Sequence, residues 1–168
     1  MNTLVTRLEA QARIDSPLGP MTLAATERGL AGAWFDRQQH HPQQIDAPMR
    51  PDHPHLRLAA REFEDYWRDA RRSFTVPLDG QGTEFQQQVW RALCEIGTGT
   101  VSTYGAVAAR IGRPDAVRAV GTAIGRNPLS IIVPCHRVIG RDGSLTGYAG
   151  GLHRKAALLK HEGAPIAA

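Results

Sequence analysis

Short apolar runs separated by turn residues occupy the start of the chain, and apolar positions at helical spacing occupy most of the remainder. From about Ala12 to Phe35 the pattern is that of antiparallel strands. Ser16-Pro17-Leu18-Gly19-Pro20 reads as a turn, Met21 to Thr26 as a short strand, Glu27-Arg28-Gly29 as a second turn and Leu30 to Phe35 as another strand. Residues 37–54 are polar and proline-rich, which predicts a loop. Leu56, Ala60, Phe63 and Trp67 then recur with helical period and predict an amphipathic helix from about Pro54 to Ala70. Ser73 to Leu78 reads as a further strand, and Asp79-Gly80-Gln81-Gly82 as a hinge into a second region.

That second region reads as mostly helical. Phe85, Val89, Leu93 and Ile96 share one face of a helix beginning near Thr83; Cys94 lies beside that face and reads as a packed structural thiol. A helix from about Thr103 to Ile111 follows, with Tyr104 in its first turn, and Gly112-Arg113-Pro114 breaks it. Asp115 is placed to cap a helix running to about Arg126, which Asn127-Pro128 ends. Two short helices joined by a tight glycine-containing turn form a helix-turn-helix candidate. In its second helix Val117, Val120 and Ile124 should pack inward, leaving Arg118, Ala119, Thr122 and Arg126 towards solvent or a ligand. Helices that read bases present several long polar side chains; this face is mostly small, which suits close approach to DNA with little sequence preference. It suits an ordinary hairpin with solvated arginines equally well. Gly147 to Gly151 forms a glycine-bounded loop, Leu152 to His161 a last helix, and Gly163 its stop. Glu162 sits where the helix dipole disfavours negative charge, which points to another role, such as orienting a histidine.

The 168 residues, 42% hydrophobic, are enough for one substantial domain or two small ones in a globular protein. The start, MNTLVTRLEAQAR, holds no apolar stretch of signal-peptide length, and no later segment is long enough to span a bilayer. With only Cys94 and Cys135 there is no disulfide framework and no cysteine-rich zinc site, so a cytoplasmic protein with reduced thiols is expected. Residues 1–82 carry ten Lys/Arg against eleven Asp/Glu, and residues 83–168 carry ten against five. The basic excess of the second half suggests a polyanionic partner. His40, His41, His53 and His55 read as a loop of solvated histidines, and neither metal nor cofactor is expected.

The candidate chemistry lies in Ile131-Ile132-Val133-Pro134-Cys135-His136-Arg137-Val138. A strand-like apolar stretch delivers a cysteine, and a histidine comes immediately after it. Thiolate is the nucleophilic form of cysteine, and an adjacent base or positive group raises its fraction near neutral pH. Pro134 stops sheet pairing just before the thiol. These residues alone suit a reactive cysteine and a buried structural one alike.

Taken together, the second region resembles the O6-alkylguanine-DNA alkyltransferases, suicide DNA-repair proteins, and most nearly the bacterial Ogt-like forms without a fused regulatory domain. The resemblance covers roughly residues 83–168. It rests on Phe85-Gln86 with Val89-Trp90, Tyr104-Gly105, Arg118-Ala119-Val120-Gly121, Asn127-Pro128, the PCHRVIG run at 134–140, Gly147-Tyr148-Ala149-Gly150-Gly151 and His161-Glu162-Gly163. It implies an α/β (α+β) fold. Residues 1–80 would form a small, RNase H-like antiparallel sheet plus helix, and residues 81–168 a helical domain with the helix-turn-helix. Cys135 would accept the alkyl group, His136 would take its proton through a water, and Glu162 would orient that histidine. Asn127 would brace the active-site turn. Tyr104 would help rotate the nucleotide and donate a proton to the departing guanine. Arg118 would fill the gap left by the flipped base, with Ala119, Thr122 and Arg126 beside it in the minor groove. Val138, Tyr148 and Ala149 would line the guanine pocket.

The implied partner is duplex DNA carrying O6-alkylguanine, with O4-alkylthymine left open, bound by a monomer away from any membrane. An S-alkyl cysteine is a stable thioether, and no cobalamin-type or metal motif offers to cleave it, so one turnover per molecule is expected. One departure bears on the last helix: the family often carries Lys-Glu-Trp where this chain has Lys155-Ala156-Ala157. Three other readings use some of the same residues. A cysteine hydrolase would share the Cys/His/Glu set, a lesion-binding relative would lack the acceptor cysteine that Cys135 supplies, and a transcription regulator would need more base-reading side chains.

Overall fold

A computed structural model describes residues 7–166, which form two compact units. One comprises residues 7–37 and 41–81, the other residues 38–40 and 82–166.

In the first unit β1 (Ala10–Ile14), β2 (Met21–Ala25) and β3 (Leu30–Phe35) form an antiparallel sheet in the order β1-β2-β3. The Ser16 turn sets the first register, its hydroxyl accepting the Leu18 N–H at 3.1 Å, so that Ile14 faces Met21. The helix α1 (Pro54–Arg68) packs on this sheet. Proline at its first position has no N–H to leave unpaired, and the His53 ring accepts the His55 N–H at its start. Its buried stripe is Leu56, Ala59, Phe63 and Tyr66, one residue round from the predicted one, since Ala60 and Trp67 are only half-buried. Each large side chain buried this way contributes about 1.5–3 kcal/mol.

Two expectations fail in this unit. Ser73 to Leu78 forms no strand, because the Thr75 and Val76 N–H groups go to the buried carboxylate of Glu62 rather than to a ladder. A single bridge between Leu30 and Leu78 is what remains. His53 is not solvated: it is buried, with Nε2 3.2 Å from Glu9, while His55 Nε2 lies 3.2 Å from the Glu27 carbonyl. Among the described residues no group of three or more His, Cys, Asp or Glu is placed to hold a metal ion, and no helix is long and apolar enough to cross a membrane.

The second unit contains α2 (Glu84–Leu93), β4 (Ser102–Thr103), α3 (Tyr104–Arg110), α4 (Val117–Gly125), β5 (Val138–Ile139) and α5 (Leu152–His161). A Thr83/Gln86 capping box starts α2, and Thr103 caps α3. Val89, Trp90 and Leu93 of α2 are buried, and the Trp90 indole N–H donates to the Ala123 carbonyl at 2.9 Å, tying α2 to α4. The helix-turn-helix is thus seated on α2.

Here too details depart from expectation. α2 ends before Ile96, and Cys94 at its end is exposed rather than packed. No side chain caps α4, so Asp115 does not play that part, and Val117 is 39% exposed because the inward face begins at Val120. The apolar residues before the cysteine are a turn and not a strand. Ile132 N–H donates to Ser130 O at 2.9 Å and Val133 N–H to Leu129 O at 3.0 Å, so the backbone bonds locally. Ile131 has φ 74°, a conformation that carries about 1–3 kcal/mol of strain for a non-glycine residue and is held by burial of its side chain. Cys135–Arg137 then makes one 3₁₀ turn into β5, which pairs in parallel with β4.

Candidate active site

Asn127 follows α4, and its buried amide organises the turn below it. Nδ2 donates to the Val133 carbonyl at 2.8 Å and to Cys135 Sγ at 3.2 Å, while Oδ1 accepts the Leu129 N–H at 2.9 Å. One side chain therefore closes the turn and aims a hydrogen bond at the thiol sulfur. Cys135 is 5% exposed, and burial pushes its pKa up, opposed by the Asn127 bond and the charge of Lys155.

His136 is fully buried, with Nε2 2.8 Å from Glu162 Oε2. Glu162 caps the C-terminal end of α5 and is held on its other side by Arg137, whose Nε donates to Oε1 at 2.8 Å. Burial pushes the Glu162 carboxyl up, but the hydrogen bonds from His136 and Arg137 outweigh it and hold its pKa down at about 2. Burial lowers the pKa of His136, against the opposing pull of Glu162. At neutral pH the pair is therefore a carboxylate and a neutral ring whose Nε2 carries the proton. That tautomer leaves a lone pair on Nδ1, which is buried and has no hydrogen-bond partner among the described residues. Such an arrangement can serve as a base, held by an orienting carboxylate, on the residue next to a thiol.

Other predicted residues are distributed around this core. Val138 is fully buried. Tyr148 is half-buried; its hydroxyl is enclosed and has no hydrogen-bond partner among the described residues, and burial raises its pKa well above the ordinary phenol value. Ala149 is half-buried, its carbonyl accepting the Gln39 N–H at 2.8 Å. Tyr104 stands at the first position of α3 with its ring close to Gly121 of α4, and its hydroxyl donates to the Thr146 carbonyl at 2.9 Å. Arg118, Ala119, Thr122 and Arg126 lie along α4 and its C-terminal end, where Thr122 Oγ1 turns back to the Arg118 carbonyl at 3.2 Å; Arg118 and Ala119 are exposed, Arg126 is exposed too, and Thr122 is exposed beside them. The structure thus brings Cys135, Asn127, His136 and Glu162 into one buried cluster and sets the α4 residues on a separate open face.

Two participants carry no signal of their own in the sequence. Arg137 lies inside the cysteine motif, yet only the fold shows it bridging Glu162 to the Ile96 carbonyl at 2.6 Å and Thr98 Oγ1 at 3.1 Å. Lys155 stands out only by its place in the departing triplet. It is fully buried, with Nζ donating to the carbonyls of Val138 at 2.5 Å, Thr146 at 2.7 Å and Gly147 at 3.4 Å. Burial brings its pKa down to about 8. It fastens the end of the glycine loop to the strand that follows the thiol. Ala156 and Ala157 beside it are half-buried.

Residues 84–164 match the family model described as 6-O-methylguanine DNA methyltransferase, DNA binding domain, and residues 11–80 match its ribonuclease-like domain. A methylated-DNA--protein-cysteine methyltransferase of Methanosarcina barkeri is 48% identical over 149 residues, covering 89% of this chain and 94% of the relative. The protein of that name from Mycobacterium bovis is 46% identical, covering 89% of each. The crystal structure of Mycobacterium tuberculosis OGT in complex with DNA superposes with a TM-score of 0.83 at 44% identity, over 93% of this chain and 95% of that one. Both halves match within one family and the relatives match nearly end to end, so the chain belongs to the 6-O-methylguanine DNA methyltransferase family.

Proposed function

We propose that this chain repairs DNA by moving the alkyl group of O6-alkylguanine in a duplex irreversibly onto Cys135. Support comes first from the buried His136–Glu162 pair, whose open Nδ1 belongs to the residue next to an asparagine-held thiol. Cys135 rests as a thiol, since burial raises its pKa. Its proton passes through a water to His136 Nδ1, and the imidazolium so formed is paired with Glu162. Sγ attacks the alkyl carbon, the carbon–O6 bond breaks, and its electron pair stays on the guanine. Tyr104 protonates that guanine and recovers a proton from solvent, to which His136 returns its own. A thioether and an unmodified guanine result, and no group in the site regenerates the thiol.

On the DNA, α4 would lie in the minor groove. Ala119 and Thr122 permit close approach, Arg126 meets the backbone, and Arg118 takes the place of the flipped base. Val138, Tyr148 and Ala149 would line the guanine pocket. The lesion, a monomeric state before binding and a cytoplasmic location are parts of the same proposal.

The test counts lesions lost from a duplex containing O6-methylguanine per molecule of protein added. A plateau at one lesion per molecule, absent in Cys135→Ser, is the expected result. Continued turnover would move the reading to a hydrolase-like enzyme, and tight lesion-dependent binding without repair to a lesion sensor.

A further inference from the structure

One buried polar side chain near the site comes from the opposite end of the sequence. Gln38 is 7% exposed; its Oε1 accepts from the Ser130 hydroxyl at 3.2 Å, and its Nε2 donates to the Gln39 carbonyl at 3.3 Å. The Gln39 N–H in turn donates to the Ala149 carbonyl at 2.8 Å. Arg37 and His40 flank this segment at φ 60° and 59°, left-handed positions that persist only where the surroundings hold them. The strap of residues 38–40 accordingly groups with the second unit, although its chain neighbours on both sides belong to the first.

What the strap holds is the glycine loop. Gly147 and Gly151 have φ 52° and 93°, which gives the loop a permissive joint at each end. Lys155 and Tyr104 fasten the Thr146–Gly147 end. The strap fastens the middle through Ala149, and Gln38 ties the strap itself to Ser130 of the turn before the thiol.

We infer that Gln38 is a positioning residue for base capture: with Gln39 it holds the 147–151 loop at the opening in which Tyr148 and Ala149 meet the guanine. This rests on the pocket assignment proposed above.

Gln38→Ala and Ser130→Ala remove the strap's side-chain bond from either side, and Gln38→Glu keeps an acceptor for Ser130. In single-turnover repair the alanine variants should raise the half-saturating protein concentration about three- to ten-fold, the effect of one lost hydrogen bond, with the limiting rate within about two-fold of the parent. Without DNA, hydrogen exchange at 147–151 should quicken, and iodoacetamide should label Cys135 faster relative to exposed Cys94. Gln38→Glu should restore much of the loop's protection. Parental loop exchange with a parental Cys135-to-Cys94 labelling ratio in both alanine variants would overturn the inference. A fall in limiting rate at unchanged half-saturation would overturn it too. Exchange and labelling need no repair, so a parent protein that transfers no alkyl group would fail the proposed function separately.

Discussion

Each unit of the chain buries a glutamate to nearly the same degree, 7% exposed for Glu62 and 8% for Glu162, and surrounds it differently. Glu62 on α1 accepts from the Thr75 N–H at 2.9 and 2.8 Å, the Thr75 hydroxyl at 2.8 Å and the Val76 N–H at 2.8 Å. Those donors do not ionise near neutral pH, so the carboxylate staples one stretch of chain to one helix. Glu162 is met by an imidazole and a guanidinium. The imidazole has a second nitrogen free to take a proton, and the carboxylate can stabilise the charge that results. Burial alone does not mark a carboxylate as chemical; the titration of its partner does.

Loss of the Glu162 carboxylate should have the largest effect. In Glu162→Gln the imidazolium loses its counter-charge and Arg137 keeps a buried charge with a neutral partner. Rapid-quench repair should slow by about 10²-fold or more, and denaturant unfolding should show a loss of about 3–5 kcal/mol. A variant that repairs at the parental rate would put the two glutamates in the same class.

Acid should reveal the Glu162 site next. The folded pKa of Glu162 is depressed from 4.5 to about 2, so its contribution is complete above about pH 4.5 and is lost as pH falls towards 2. That is about 3 kcal/mol by linkage. His136 acts in the same direction, since its pKa is lowered by burial and below about 6.5 the unfolded chain takes up a proton that the folded ring resists. Unfolding midpoints should therefore drop between pH 6 and pH 3 in the parent, with a flatter profile in Glu162→Gln. For the same reason the repair rate should stay level as pH falls through the ordinary imidazole range.

Glu62→Gln sharpens the contrast from the other side. One amide oxygen cannot replace two carboxylate oxygens facing three donor groups, so about 2 kcal/mol of stability should be lost while the repair rate stays within about two-fold. The smallest effect belongs to Arg118→Ala on the exposed face of α4. Stability should move by less than about 0.5 kcal/mol, while duplex affinity weakens and, with one cation fewer among the phosphates, its salt dependence becomes shallower. Fluorescence titration at several salt concentrations reads both.

Much of this site is legible in the sequence alone. Motif order carries Cys135, His136, Asn127 and Glu162, and the bounds of α5 are plain because Gly151 and Gly163 frame an uninterrupted helical run. What is not legible has a common cause, backbone groups that bond outside the ladders their apolar runs suggest. Ser73–Leu78 and Ile131–Val133 both have the apolar character of strands, and short apolar runs do not reveal where their N–H groups will go. Glu62 takes them in one case; in the other the Ile132 and Val133 N–H groups turn back to the Ser130 and Leu129 carbonyls, while Asn127 donates to the Val133 carbonyl. Arg137 and Lys155 escape notice because such side chains are ordinarily exposed, and only the fold supplies the carbonyls and carboxylate that make their burial tolerable. Gln38 hides within a polar loop for the same reason.

The most direct measurement is peptide-level mass analysis after the protein meets an excess of duplex O6-methylguanine, comparing the parent with Glu62→Gln and Glu162→Gln. One methyl group on Cys135, none on exposed Cys94, saturating at one per molecule and arriving at the parental rate in Glu62→Gln but far more slowly in Glu162→Gln, is the expected result. Methylation of Cys94, continued turnover beyond one equivalent, or equal rates in the two glutamate variants would contradict it.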